Sequence, residues 1–326
     1  MKPHWTFLLT LTLLVEAVQQ GQGRAASRNE TQGGNVSLRQ WAGQNDFKPV
    51  ADGKGEWLKF TSASATLAFK TNSPLAEING VRVWLCDPII LLAGEPCISS
   101  LDLRATIEPI LVPPPAKVPA TVCLDPGHGG KDTGGVFGQF VEKQYTLPLA
   151  RELAGQLSAA GFLAMLTRTN DTFVELEERP SFANRRKAGL FISLHFNIGP
   201  PGEARGVEVY CLTPAKSAST NAKGKIANTS PLPGNRQDAQ NVLLAFELQK
   251  ALVKNLGAED RGLRRARFEV LRSAKMPAVL IEGGFLSCLD EQKKIADPKY
   301  RRELAAAIVQ GVLAYQRAVN PPASAT

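Results

Sequence analysis

Thr121-Val122-Cys123-Leu124-Asp125-Pro126-Gly127-His128-Gly129-Gly130 decides the fold. Its first four residues read as a short apolar strand, and Asp-Pro-Gly stops that strand abruptly. Glycines on both sides of His128 let the backbone turn sharply and leave the imidazole open. Helical spacing follows, with apolar residues at 149/150, 153, 157 and 160 and Gly161 as the cap. Pro148 is compatible with that helix only near its start, which predicts Thr146 as the N-cap.

The same alternation continues downstream. Residues 162–167, 190–194, 206–212, 268–271 and 278–281 read as strands, and 173–188 (in part), 240–256 and 300–318 as helices. Strands alternating with helices predict an α/β sheet with parallel neighbours and ligands beyond the carboxyl ends of the strands. Residues 216–237 are rich in Ser, Asn, Gly and Pro and read as a long surface loop without a helical apolar period.

Upstream, Pro113-Pro114-Pro115-Ala116-Lys117-Val118-Pro119 continues neither a helix nor a central strand, so the expected boundary falls at 113–119. Residues 56–112 read as a small β-rich module. Its clearest signal is Ile78-Asn79-Gly80-Val81, a type I′ hairpin turn, and a short helix is expected near 99–107. Residues 28–55 read as a flexible polar linker, 120–318 as the larger α/β domain and 319–326 as a disordered tail. Residues 1–27, with Lys2 ahead of a short apolar run ended by Glu16, read as a cleavable secretory signal. That reading predicts a secreted or periplasmic protein of the cell envelope with no membrane span after cleavage.

Hydrophobic residues make up 44% of the 326 and charged residues 21%, which excludes a wholly disordered, collagen-like or multi-span membrane chain. The formal charge of +8 suits polyanionic surroundings without choosing among them. Nucleic acid is not an expected partner, because neither a basic helix nor an aromatic RNA-reading motif is present. The five cysteines lack zinc-finger spacing; Cys86 and Cys97 are near enough in sequence to bridge, and all five are equally readable as small buried hydrophobes.

The chain has three histidines, and one, His4, lies in the leader. Histidine chemistry in the mature protein therefore rests on His128 and His195, each placed at a strand end. Two imidazoles with one carboxylate form a hydrolytic zinc set that leaves a position for water. A second carboxylate is then needed to move a proton to the leaving nitrogen. Glu282, directly after the apolar Ala278-Val279-Leu280-Ile281, is available for that, since a Glu there is costly to bury without a partner. A further acid, Glu142, precedes the first helix. Taken singly, each has an ordinary reading: loop histidine, solvated charge, helix cap. No G-x-S-x-G, phosphate-binding loop or dinucleotide fingerprint competes.

The segments "LDPGHGGKDTGG", "EKQYTLPLARELAGQLSAAGF", "LTRTNDTFVELEERPSFANRRKAGLFISLHFN", "RGVEVY" and "FEVLRSAKMPAVLIEGGFLS" fall in order over about 121–317. Together they resemble the zinc-dependent N-acetylmuramoyl-L-alanine amidases of bacterial cell walls. The resemblance implies a mixed, mostly parallel six-stranded sheet flanked by helices. It implies Zn2+ held by His128, Glu142 and His195, with Glu282 as the catalytic acid/base. It also places Asn197, Arg168, Arg179 and Asn184 in matching segments; Arg179 and Asn184 are expected to fix loops, and Asn197 to touch substrate or support the ligands. The implied substrate is peptidoglycan, cut between the muramic acid lactyl group and L-alanine during wall remodelling or daughter-cell separation. Cys288 stands where the family often has Asn. The alternatives are an inactive wall-binding homologue and a zinc peptidase or deacetylase on a related substrate. The rhythm around Asn79-Gly80 resembles the small N-terminal domain of copper amine oxidases, found also on bacterial envelope proteins, which implies a binding or spacer unit able to contact the wall or an activator.

Overall fold

The computed structural model describes residues 34–52, 56–117, 119–200, 202, 204–222 and 230–321. The expected leader (1–27) lies outside the described residues, as does most of the expected tail.

The chain begins with β1 (Asn35–Ser37), α1 (Leu38–Gln44) and β2 (Lys48–Val50). This corrects the linker expected over 28–55. The Ser37 hydroxyl accepts from the Gln40 amide and caps α1, Leu38 and Trp41 are buried, and Trp41 stacks on Phe47 at 6.0 Å. A few apolar anchors dock a segment whose average composition is polar. Then come β3 (Trp57–Thr61), β4 (Thr66–Lys70), β5 (Leu75–Ile78), β6 (Val81–Trp84), β7 (Ile90–Leu92) and β8 (Glu95–Ser99). Asn79 and Gly80 have φ of 50° and 76°, as the type I′ turn between β5 and β6 demands. Helical turns follow: α2 (Ser100–Asp102), π-helical Leu103–Ile107 and α3 (Glu108–Leu111).

Beyond the prolines run β9 (Thr121–Pro126), β10 (Val136–Phe137), β11 (Phe140–Val141), α4 (Lys143–Ala159), β12 (Leu163–Leu166), α5 (Glu178–Arg185), β13 (Leu190–Asn197) and β14 (Val207–Leu212). They are followed by α6 (Asp238–Leu256), β15 (Asp260–Ala266), α7 (Glu269–Arg272), β16 (Ala278–Phe285), α8 (Leu289–Ala296) and α9 (Pro298–Val319). Six strands order as β12-β9-β13-β16-β14-β15, parallel except where β14 meets β16. The α/β class and the mixed, mostly parallel arrangement are as expected.

The sheet does not end at β15. β6 pairs parallel with it at Val83 and Leu263, and β5, β4, β3 and β2 follow antiparallel, giving eleven strands. The six expected strands are thus the larger part of a longer sheet.

Strand residues alternate between two cores, as the two-residue repeat of a sheet covered on both faces requires. Ile192, Val209, Val279 and Ile281 join the large core under α4, α6 and α9, which also takes in Leu38, Trp41, Phe69 and Ile78 from the N-terminal module. Phe191, Tyr210, Ala278 and Leu280 face the second core with Leu271 of α7.

Two local expectations are corrected, and one open alternative is decided. Residues 268–271 are not a strand: α7 lies there, and the strand is Asp260–Ala266, whose three arginines mask its pattern. α4 begins at Lys143, so Pro148 sits inside it and Thr146 is no cap; the hydroxyl of Thr146 donates to the Gly127 carbonyl at 2.8 Å. Pro148 withholds an amide only from the Gln144 carbonyl, on an exposed residue that water can serve. All five cysteines are free thiols, so Cys86 and Cys97 are not bridged. In the 216–237 segment the described residues form short 3-10 turns at Thr220–Ala222 and Pro233–Gln237, and 223–229 lie outside the described residues.

Candidate metal centre

β9 delivers His128 just past its end, and β13 carries His195. The Gly127 amide donates to the Leu194 carbonyl at 3.0 Å, which seats the first turn against the second strand. A Cβ on Gly127 would overlap the His195 ring, so only glycine lets the two histidines approach. His128 itself adopts φ of 62°, a strained choice for a residue with a side chain. The two rings meet edge to face, centroids 4.8 Å apart.

Glu142, directly before α4, completes the set. Its Oε1 accepts from the Phe196 amide at 3.0 Å and lies 2.9 Å from His195 Nδ1. Its Oε2 accepts from the Gly135 amide at 2.8 Å and lies 3.0 Å from His128 Nε2. Burial alone would push this carboxyl's pKa up, but the hydrogen bonds from both imidazoles outweigh it and hold the group well below the usual carboxylate range. The ring of His128 is turned by Asp132, whose Oδ2 lies 2.9 Å from Nδ1, leaving Nε2 to point inward. Among the described residues, His128, Glu142 and His195 form a group that can hold a metal ion, with ligand atoms all within 4.8 Å of one another. Two imidazole nitrogens and a carboxylate oxygen, fixed by amides and a second acid, suit a divalent cation.

Glu282 lies beside His195 in the β13–β16 register and beside Glu208 in the β14–β16 register. Its Oε2 is buried without a hydrogen-bond partner. Burial, with the charges of Glu142 and Glu208 added, raises its pKa well above the ordinary value. Glu282, the three metal-site residues and Asn197 line one cavity of about 410 Å³, rimmed by Leu176, Ile198 and Phe268.

The remaining expected residues separate by place. Arg179 is buried under the turn, donating from Nη1 to Asp125 Oδ1 at 2.9 Å and from Nη2 to the His128 carbonyl at 3.1 Å. Arg168 donates to the carbonyls of Pro126 and Gly127 at 2.9 and 2.8 Å. Both hold the histidine turn in shape. Asn184 does not join the site: it holds the loop after α7 through the Ser273 carbonyl and the Lys275 amide, each at 2.9 Å.

Two acids escaped the sequence reading. Asp132 follows His128 by four residues with nothing in its surroundings to mark it. Glu208 carried a usable signal, a lone charge in the apolar strand "VEVYCL". It is buried, accepts from Asn197 Nδ2 at 2.7 Å and from the Tyr210 hydroxyl at 2.8 Å, and pairs with Arg261 and Arg264, each at 3.0 Å.

Known proteins share this arrangement of sequence. The chain is 29% identical over 265 residues to the N-acetylmuramoyl-L-alanine amidase LytC of Bacillus subtilis, a match covering 78% of this chain and 48% of that one. It is 33% identical over 218 residues to the N-acetylmuramoyl-L-alanine amidase AmiC of Neisseria meningitidis, covering 60% and 52%. The chain thus spans about half the length of these curated relatives. Among solved structures it is similar to an N-acetylmuramoyl-L-alanine amidase from Clostridium difficile 630, at 34% identity and a TM-score of 0.50 over 61% of this chain and 97% of that one. AmiC2 of Nostoc punctiforme, of the same name, gives 32% identity and a TM-score of 0.51 over 60% and 97%. Residues 122–314 match the Amidase_3 family, described as N-acetylmuramoyl-L-alanine amidase. That stretch is well over half of the chain and contains every group around the cavity, so the chain belongs to the N-acetylmuramoyl-L-alanine amidase family.

Proposed function

We propose that the chain is a zinc-dependent hydrolase that cuts the amide between N-acetylmuramic acid and L-alanine in peptidoglycan. The observation that carries this is a single cavity holding three convergent ligand groups together with an unpartnered carboxylate oxygen. Family membership supplies the bond and the substrate. His128, Glu142 and His195 would hold the ion, with Asp132 and the amides of Gly135 and Phe196 fixing their orientation. Zinc, when bound, supplies a Lewis acid for the scissile carbonyl and makes water more acidic.

This chain's own residues then do the proton work. Glu282 Oε2, with no hydrogen-bond partner to give up, takes the proton of the attacking water. Water oxygen bonds to the amide carbon, the carbon–nitrogen bond breaks, and the same oxygen of Glu282 returns the proton to the departing nitrogen. The products are a free lactyl carboxylate and a stem peptide with an L-alanine amine. Asn197, which lines the cavity and already donates to Glu208 Oε1 at 2.7 Å, would offer its second amide proton to bound substrate. The secretory signal read from the sequence of residues 1–27 and the basic balance support action in the cell envelope, in wall remodelling or daughter-cell separation.

The test is mass analysis of purified muropeptides after digestion. Intact glycan together with free stem peptides bearing an L-alanine amine is expected. Cleavage inside the stem, or loss of acetyl groups alone, overturns the assignment.

A further inference from the structure

The family match begins at residue 122, yet the rim of the active site is fastened from outside it. The fastening starts at β15, the last strand of the family sheet, where β6 of the N-terminal module lies alongside. Trp84 Nε1 donates to the Arg261 carbonyl at 2.9 Å, and the Arg264 guanidinium lies over the Trp84 ring, 4.8 Å from its centroid. Arg82 adds two bonds to Asp260: its amide to Oδ2 at 2.8 Å and its Nη1 to the carbonyl at 2.9 Å. Gly262 is shaped for this contact. Its φ is 91°, and a Cβ there would stand 3.0 Å from the Arg82 carbonyl oxygen and from the Trp84 ring. The junction is built into the strand, not a chance touching of two surfaces.

From the junction the contacts run inward. Arg261 and Arg264 both reach Glu208 Oε2, while Glu208 Oε1 holds the Asn197 amide and the Tyr210 hydroxyl. A buried carboxylate of this kind is tolerable only while its cations stay in place, because an unpaired buried charge is strongly destabilising. Trp84 shares in orienting the cations, stacking under the Arg264 guanidinium and holding the Arg261 carbonyl, beside Phe285, whose ring lies 4.7 Å from the Arg261 guanidinium, and Asn221, whose Oδ1 accepts from Arg264 Nη1 at 2.9 Å.

We infer that the N-terminal module is a fixed part of the catalytic apparatus, with Trp84 as a positioning residue that acts through Arg261, Arg264 and Glu208 on Asn197 in the substrate cleft. The inference rests on the amidase reading for its kinetic form. It gives the module a task distinct from binding the wall, and so one visible with a small soluble substrate.

The experiment measures kcat and KM on a soluble muropeptide, with bound metal quantified in every variant. Trp84→Leu is expected to lower kcat/KM about tenfold, mainly through KM, at unchanged metal content, because the chain of contacts ends on a group facing bound substrate. Trp84→Phe, which keeps a ring for Arg264, recovers most of that loss. Phe69→Leu, in the shared apolar core on β4, two strands from β6 and touching none of Trp84, Arg261, Arg264 or Glu208 through a hydrogen bond or ion pair, lowers thermal stability and leaves kcat/KM unchanged. Arg264→Gln costs about as much as Trp84→Leu, and the double variant little more than either alone, as coupled residues require. Unchanged kinetics in Trp84→Leu, an equal loss in Phe69→Leu, or losses that multiply in the double variant overturn the inference. If the wild-type protein releases no stem peptide, the amidase reading fails instead. The coupling is then read from the Asn197 side-chain amide resonance, expected to move in Trp84→Leu and not in Phe69→Leu; a resonance that stays put in both overturns it.

Discussion

Glu282 and Asp132 separate two kinds of residue-scale effect. Glu282→Gln keeps the size of the side chain and removes the proton acceptor. Turnover is expected to fall by about 10²–10⁴-fold, the usual worth of a positioned acid/base, with metal content unchanged. Elemental analysis beside muropeptide turnover decides it, and wild-type turnover in the variant would remove Glu282 from the reaction. Asp132→Asn acts on affinity, since it takes the carboxylate from His128 Nδ1. Metal should bind about 10–100-fold more weakly, read by competition with a chelator; unaltered affinity would show that the turn holds the ring without help. At this scale much of the site was legible. Three histidines in 326 residues leave few candidates, and an acid at the close of an apolar run is conspicuous. Asp132 was not legible, because an exposed-looking acid in a glycine turn has no local feature that separates a ring-orienting role from solvation. Glu142 was noted as an acid before the first helix but gained a ligand role only through the family resemblance, since its partners come from β13 and from the turn around residues 128–135.

β15 shows why an element can be misread while its neighbours are not. Its sequence, DRGLRRA, has the polarity of a surface loop, yet Leu263 and Arg265 are buried and every arginine has a partner across the sheet or from the N-terminal module. Charge satisfied by distant residues is invisible to local periodicity. The strand's tolerance is correspondingly narrow at Gly262. Gly262→Ala combines a left-handed backbone with a crowded Cβ, so it should cost about 1–3 kcal/mol, measured as a lower denaturation midpoint. A neutral result would mean that β6 can move away without loss. A second element-scale effect belongs to the helical turns at residues 100–111. Asp102 is fully buried, accepts from the Cys86 and Asp87 amides at 2.7 and 3.0 Å, and burial pushes its pKa up to about 6. The native state therefore holds a proton that the unfolded state releases near pH 4, so this group's contribution to stability is full below that point and is lost as the pH rises through about 6. In Asp102→Asn the stability difference between pH 4 and pH 7 should shrink. An unchanged profile would show that Asp102 does not titrate in that window.

At the scale of the molecule, the prolines at 113–119 invite a division into two units, and the sheet and core cross that division. Phe69 and Ile78 belong to the same apolar cluster as Ile192 and Tyr315, β6 continues the sheet from β15, and Arg265 sends Nη2 to the Thr106 hydroxyl at 2.8 Å. The sequence could not reveal this, because a polyproline stretch reports local stiffness and says nothing about which surfaces meet around it. A shared core predicts one cooperative transition, and the chain carries a convenient probe of it. Apart from Trp5 in the segment read as a leader, its tryptophans are Trp41, Trp57 and Trp84, all ahead of the prolines, so with that segment removed emission reports on the N-terminal module while far-UV circular dichroism sees the helices α4, α6 and α9 of the family region. On urea titration of that chain the two signals should share one midpoint and one slope. If emission changed first, the module would be unfolding from an intact amidase sheet, and β15 would survive as a free edge. That outcome is disfavoured physically, because losing β6 uncovers Leu263, breaks its pairing with Val83, and strips Arg82 from Asp260 and Trp84 from both Arg261 and Arg264. The cost of opening the junction falls on the same residues that steady Glu208, so coincident curves are the equilibrium counterpart of the kinetic coupling between Trp84 and the cleft.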